Sequence, residues 1–379
     1  MKYYLIVLIR NALKIFFVFP IQKNRIIFNA YNGKQYGCNP KYIYEYLEDY
    51  SNKLDLIWAF ESTEKFHFNT PVKKVRYKSL KYIYYVLTAS IVVENSESWS
   101  IIPKRNGQTV INTWHGGGSY KKVGTSRKDG NSFNAKNVRD KNRRVDLYLS
   151  SSKAFSTQTL RESFDYLGEI MEMGMPRNDI LVNGNESVVQ QVKNKLNIAN
   201  KKVVLIAPTF RNVTDFALES FNFDLLLDTL EAKMKGSWVI LYRSHYYETT
   251  KVNDPRIIDV SNYPDMQELL LSSDVLITDF SSCMWDFSLS FKPVFLLSSD
   301  IEEYQERERE FYTDPYSWPY SLALTFDKLI QNISDFDDDE YQQKLVSHHK
   351  DLQSFESGKA TSAIGEYILR KTIREDFHE

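Results

Sequence analysis

The sequence predicts two α/β domains of doubly wound type, each a mainly parallel sheet covered by helices. Short Val/Ile/Leu-rich runs alternate with helical patterns along the whole chain. Those runs are nearly continuous in apolar residues, as strands buried on both faces require. At 379 residues the chain is long for one core and comfortable for two.

The elements follow in order. The opening "MKYYLIVLIRNALKIFFVFP" is strongly apolar but broken by Arg10, Asn11 and Lys14, which share one narrow face of a helical wheel. Its apolar runs are too short to span a bilayer, and no small-residue cleavage site marks a secretory signal. Two readings stand. The segment is a buried helix or strand of the first domain. Alternatively, residues 1–22 form an amphipathic membrane-associating segment whose basic stripe meets the headgroups of an anionic membrane surface.

The first domain, residues 23–190, carries strand candidates at Arg25–Ala30, Asp55–Phe60, Ser90–Asn95, Thr109–Trp114 and Leu147–Ser151. In "NPKYIYEYLED", Asn39 and Pro40 read as an N-cap and first helical position. The polar stretch "VNGNESVVQQVKNKLNIANKK" bridges the domains as a turn and a helix capped near Asn185. The second domain, residues 191–379, has strand candidates at Lys202–Phe210, Trp238–Tyr242, Asp274–Thr278 and Pro293–Leu297. The charged run Glu302–Glu310 reads as solvated. The acidic run Asp335–Glu340 reads as a helix N-terminus rather than a metal site, and the adjacent His348 and His349 read as surface residues.

Composition excludes several classes. The formal net charge of −1 gives no global signal for nucleic acid. Cys38 and Cys283 stand too far apart in sequence for a disulfide framework and fit a reducing compartment. No spacing resembles a zinc site.

In open parallel sheets, ligands bind beyond the carboxyl ends of the strands. Four such ends carry chemistry. His115, Gly116 and Gly117 follow one, with Lys121 and Lys122 placed to face an anionic acceptor. Thr209 and Arg211 follow another, and Arg243 and His245 a third. Asp279, Ser281 and Ser282 follow the fourth, where a helix start offers free N–H groups for a phosphate unless Asp279 or Ser281 simply caps it. Asp286, further along that helix, would meet a ribose hydroxyl or solvent. Arginine forks match phosphate oxygens, and an imidazole near neutral pH can take a proton from an attacking hydroxyl.

The motifs "NTWHGGGSYKKVG", "GMPRND", "APTFR", "YRSH" and "ITDFSSCMWDFSLSFKPVFLL" resemble, in this order, the series of the CDP-glycerol glycerophosphotransferase family. These are bacterial teichoic acid primases and polymerases and related capsule enzymes. The resemblance implies a GT-B-like fold of two facing Rossmann-like domains with an inter-domain cleft. It implies a CDP-glycerol or CDP-ribitol donor, a lipid-linked saccharide or polyol-phosphate acceptor, and release of CMP. It also implies peripheral work at the cytoplasmic face of the membrane. No cofactor is expected, and no motif requires a metal. By the same resemblance His115 matches the proposed base, and His245 the histidine near the diphosphate. Arg211 and Arg243 match basic positions, Ser281 and Ser282 the paired serines, Arg177 the inter-domain Pro-Arg motif, and Asp286 an acidic position.

Two departures stand out. Gly117 and Gly118 replace the family's frequent Thr-Pro, which bears on acceptor choice, and Tyr246 follows the second histidine where Pro is common. Two other functions fit a fold with these phosphate sites: a GT-B glycosyltransferase using a nucleotide-sugar, and a non-catalytic membrane-surface nucleotide-binding protein.

Overall fold

The computed structural model describes residues 2–64, 66, 68, 72–96, 101–127, 132–209, 221–244 and 254–373. Among these, seven strands form one sheet: β1 (Gln22–Asn29), β2 (Asp55–Phe60), β3 (Lys73–Arg76), β4 (Ala89–Glu94), β5 (Thr109–Asn112), β6 (Leu147–Ser150) and β7 (Glu169–Glu172). Six form the other: β8 (Lys202–Ile206), β9 (Trp238–Tyr242), β10 (Ile257–Asp259), β11 (Val275–Thr278), β12 (Val294–Leu297) and β13 (Ser321–Ala323). The orders are β3-β2-β1-β4-β5-β6-β7 and β10-β9-β8-β11-β12-β13. The pairing is parallel throughout, as in β1 with β2 and β4, or β8 with β9 and β11.

Strand burial explains the apolar runs. On β1, Ile26 and Phe28 join one core while Ile27 joins another on the opposite face. On β8, Val203 and Leu205 face one core and Val204 and Ile206 the other. Each such side chain contributes roughly 1.5–3 kcal/mol when fully buried.

All nine predicted strands are present, most shorter by a residue or more. The four that prediction missed, β3, β7, β10 and β13, are the four sheet edges. Edge strands are half solvated, and these carry one fully buried side chain each at most, so no apolar run marks them.

Three local expectations change. The helix Cys38–Glu48 has Gly37, not Asn39, at its N-cap. Asn39 is buried instead, donating to the carbonyls of Thr113 and Trp114 and accepting from the Arg177 backbone N–H. His348 and His349 are half-buried and engaged rather than free surface residues. His348 Nε2 lies 2.8 Å from Tyr120 Oη, and His349 Nε2 lies 2.9 Å from Ser288 Oγ. The acidic stretch behaves as predicted, since Asp337 caps the helix Asp338–Asp351.

The domain division also shifts. Leu181, assigned to the first domain, packs in a core of the second. The last helix, Ala360–Thr372, assigned to the second domain, inserts Ile364 and Ile368 into a core of the first. Between these crossings, Tyr120 leaves the first sheet and is buried among Tyr320, Trp318 and His348 of the second domain. The domains therefore interlock, each lending the other an apolar piece.

Candidate active site

The carboxyl ends of both sheets face a shared cleft, and the glycine loop after β5 crosses it. Trp114 turns the chain with a positive φ of 50°, and Asn112 Oδ1 accepts from its N–H. Gly116 has ordinary room beside it, with only the Trp114 indole near its absent Cβ. Gly117 and Gly118 have none. A Cβ on Gly117 would sit 2.9 Å from Trp285 Nε1, and one on Gly118 2.9 Å from Trp285 Cε3. The bare backbone at these two positions thus lets a tryptophan of the second domain pack against the loop.

His115 sits at the centre. Its Nδ1 lies 2.8 Å from the carbonyl of Asn95. A carbonyl only accepts, so Nδ1 carries the proton and Nε2 holds the free lone pair of the neutral ring. Trp114 and Tyr31 flank the ring, with centroids 4.3 and 5.6 Å away. Burial pulls the His115 pKa down to about 4, with the charges of Arg177, Arg309 and Lys121 acting the same way and the Asn95 bond opposing. The ring is neutral at pH 7 and ready to accept a proton.

Two chambers meet at His115, Ser281 and Ser282, which line both. The larger, about 380 Å³, adds Gly116, Gly117, Lys121, Thr209, Glu308 and Arg309. The smaller, about 190 Å³, adds Tyr31, Gln35, Arg243, Ser244, Ser261 and Gln267. Arg243 donates from Nη1 to the carbonyl of Tyr263 at 2.7 Å. Asp279 is buried below this floor and does not cap the helix. Its Oδ1 accepts from the Thr209 N–H at 2.9 Å and its Oδ2 from the Thr209 hydroxyl, which welds the β8 and β11 ends together. The helix that follows is short, Cys283–Ser288, with Ser282 at its N-cap and no side-chain cap bond.

Arg177 and Asp286 meet each other. Arg177 Nε and Nη2 donate to Asp286 Oδ2 and Oδ1 at 3.0 and 2.9 Å, a bidentate pair across the domains. The residues are 2% and 4% exposed, so Asp286 does not face bulk solvent, and the pair lines the inner end of the smaller chamber. Gln267 Nε2 adds a third bond to Asp286 at 3.0 Å. Nearby, Lys41 Nζ bridges to Asp265 and Glu268 at 2.5 and 2.8 Å, again between domains. Glu356, from the strap before the last helix, accepts from Met175 N, Asn178 Nδ2 and Trp285 Nε1. Burial pushes its pKa up to about 7.

Lys121 and Lys122 part company. Residues 120–122 pair antiparallel with 310–312 through Lys122 N–H to Glu310 O and Tyr312 N–H to Tyr120 O, both 2.9 Å. Lys121 faces the larger chamber, whereas Lys122 Nζ lies 3.3 Å from Glu310 and lines neither chamber. His245 and Arg211 lie outside the described residues. Among the described residues no group of three His, Cys, Asp or Glu side chains is placed to hold a metal ion.

Sequence reasoning missed Arg309, Glu356, Ser244 and Ser261. Arg309 sat inside the charged run, where nothing distinguishes it from its neighbours. Glu356 has no motif at all.

Two facing Rossmann-like sheets, with a neutral histidine on the cleft wall between hydroxyl-lined and guanidinium-lined chambers, make this a GT-B-like protein. The chain belongs to the CDP-glycerol:poly(glycerophosphate) glycerophosphotransferase family, whose model matches residues 11–370. It is 33% identical over 379 residues to the teichoic acid poly(glycerol phosphate) polymerase of Staphylococcus epidermidis, covering 94% of this chain and 52% of that protein. The chain thus spans about half the length of that relative. A teichoic acid poly(glycerol phosphate) polymerase of Bacillus spizizenii is 32% identical, with 92% and 93% covered. The structure of the wall teichoic acid polymerase TagF, in a variant soaked with CDPG, superposes with a TM-score of 0.83 at 29% identity, covering 96% of this chain and 94% of that one.

Proposed function

We propose that this chain transfers glycerol phosphate or ribitol phosphate from a CDP-polyol to a hydroxyl of a lipid-linked acceptor and releases CMP. One observation carries the reading: in a chain of this family, His115 stands on the wall common to both chambers with its Nδ1 tied to Asn95. The acceptor oxygen attacks the β-phosphorus and forms the new P–O bond. The bond from that phosphorus to the bridging oxygen breaks, and CMP leaves with the electron pair. The acceptor proton passes to His115 Nε2. Ser281 and Ser282 donate to phosphate oxygens, and Arg243 offsets the charge that grows on the leaving CMP. The smaller chamber, with Arg243, Ser244 and Ser261, takes the cytidine side. The relatives named for poly(glycerol phosphate) synthesis and the CDPG-soaked neighbour support this choice of donor.

The N-terminal segment supports a membrane-surface site of action. Leu13, Phe16 and Phe17 pack on the first domain, while Tyr4, Leu5, Leu8, Ile15 and Val18 remain exposed. Arg10 is no lipid contact, because it pairs with Asp140 at 2.7 Å. The docking is therefore apolar more than basic. Among the described residues no helix is long and apolar enough to cross a membrane.

The test is a donor panel. CDP-glycerol, CDP-ribitol, a UDP-sugar and a GDP-sugar are each incubated with the protein and a lipid-linked acceptor. CMP release with a polyol-phosphate mass increment on the acceptor is expected. UDP or GDP release with a glycosylated product would overturn the reading.

A further inference from the structure

The antiparallel clamp between residues 120–122 and 310–312 brings Lys121 and Arg309 to the same chamber. Side chains alternate faces along paired strands. Lys122 and Glu310 turn to one face, where they pair at 3.3 Å. Lys121, Val123 and Arg309 turn to the other, and all three line the larger chamber. Arg309 is held from both sides. Its own N–H and that of Glu308 donate to Tyr304 O at 2.9 Å, and the next residues bond the glycine loop through Lys122 N–H and Tyr312 N–H. A cation of the second domain is thereby fixed in register with a cation of the first, beside His115.

We propose that Arg309 is a phosphate-binding residue that grips the phosphate of a polyol phosphate in the larger chamber, together with Lys121. This rests on the transferase reading above. A planar guanidinium can take two phosphate oxygens at once, which suits a phosphodiester held in a fixed direction. Glu308 is the acidic group of that chamber, and Ser281 and Ser282 add hydroxyls to its lining. The proximity of Arg309 is also felt at His115, whose proton affinity it lowers. Two phosphates share this chemistry: the one in transfer from the donor and the terminal one of a growing acceptor.

The experiment compares wild type with Arg309→Gln, Arg309→Lys and Lys122→Gln. Each is assayed for CMP release from CDP-glycerol with a lipid-linked acceptor ending in glycerol phosphate and with the same acceptor ending in a sugar. In Arg309→Gln we expect a loss of about 10-fold or more, the worth of one charged hydrogen bond. A rise in KM confined to the phosphate-ended acceptor assigns the acceptor phosphate. An equal fall in kcat with both acceptors assigns the phosphate in transfer. Either upholds Arg309 as a phosphate ligand. Arg309→Lys recovers part of the loss, and Lys122→Gln, at an equal Tm, changes KM less than Arg309→Gln does. Unchanged kcat and KM in Arg309→Gln would overturn the inference. Calorimetric titration of glycerol 3-phosphate onto the CMP-loaded protein keeps it separate from the transferase reading. Heat seen in wild type and lost in Arg309→Gln upholds the site even if no CMP is released, whereas equal heats overturn it.

Discussion

The inter-domain wall and the open cleft draw on the same residue types and use them differently. On the wall, Arg177 is 2% exposed and gives Nε and Nη2 to Asp286, while Lys41 gives its ammonium to Asp265 and Glu268. In the cleft, Arg243, Lys121 and Arg309 stand partly exposed along chambers wide enough for a ligand. Histidine divides likewise. His348 and His349 are packed against Tyr120, Trp285 and Phe291, whereas His115 lines both chambers. A basic motif in sequence therefore announces a charge, and only the fold decides whether it holds the domains together or lines the cleft.

The wall is the place to break first. Arg177→Met leaves Asp286 buried and uncompensated, so stability should fall by about 3–5 kcal/mol, read as a large drop in Tm. Arg177→Met with Asp286→Leu should recover much of that. An Arg177→Met protein with an unchanged Tm would erase the distinction between wall and cleft. Gly117→Ala comes next. Its Cβ meets the Trp285 indole, and such overpacking costs about 1–3 kcal/mol. Combining it with Trp285→Leu should restore part of the loss, and no rescue would mean that the loop does not press on Trp285.

The smallest effect is on pH. Burial lowers the pKa of His348 and of His349 to about 4, whereas an unfolded histidine titrates near 6.5. Between those values the unfolded chain binds more protons than the folded one. The sign follows: stability is fully present above about pH 6.5 and is lost as pH falls toward 4. Replacing His348 by Gln should flatten that acid slope of Tm, and an unaltered slope would contradict its burial as a neutral ring.

The interior of the fold was legible because β1, β2, β4 and β8 are buried on both faces and spell that out in Val, Ile and Leu. The edges were not, since β3 and β10 bury too little to leave a pattern. In the site, His115 and the serine pair were legible as strand-end residues. The pairing of Arg177 with Asp286 was not, because 109 residues separate them and only the meeting of two domains joins them. Nor was the exchange of Lys122 for Arg309, which depends on the register of one antiparallel bridge. Nor was the packing of Gly117 and Gly118, which read in sequence as a departure bearing on acceptor choice and in the fold lie against Trp285.

The proposed transfer turns on His115 as the proton acceptor. Single-turnover CMP release from CDP-glycerol, with saturating lipid-linked acceptor, compares wild type with His115→Asn, which can still donate to the Asn95 carbonyl. That role predicts a rate lower by roughly 10²–10⁴, at unchanged CDP-glycerol affinity and Tm. For the wild type it predicts no acid limb from this histidine until pH approaches about 4. A His115→Asn protein that releases CMP at close to the wild-type rate would contradict it.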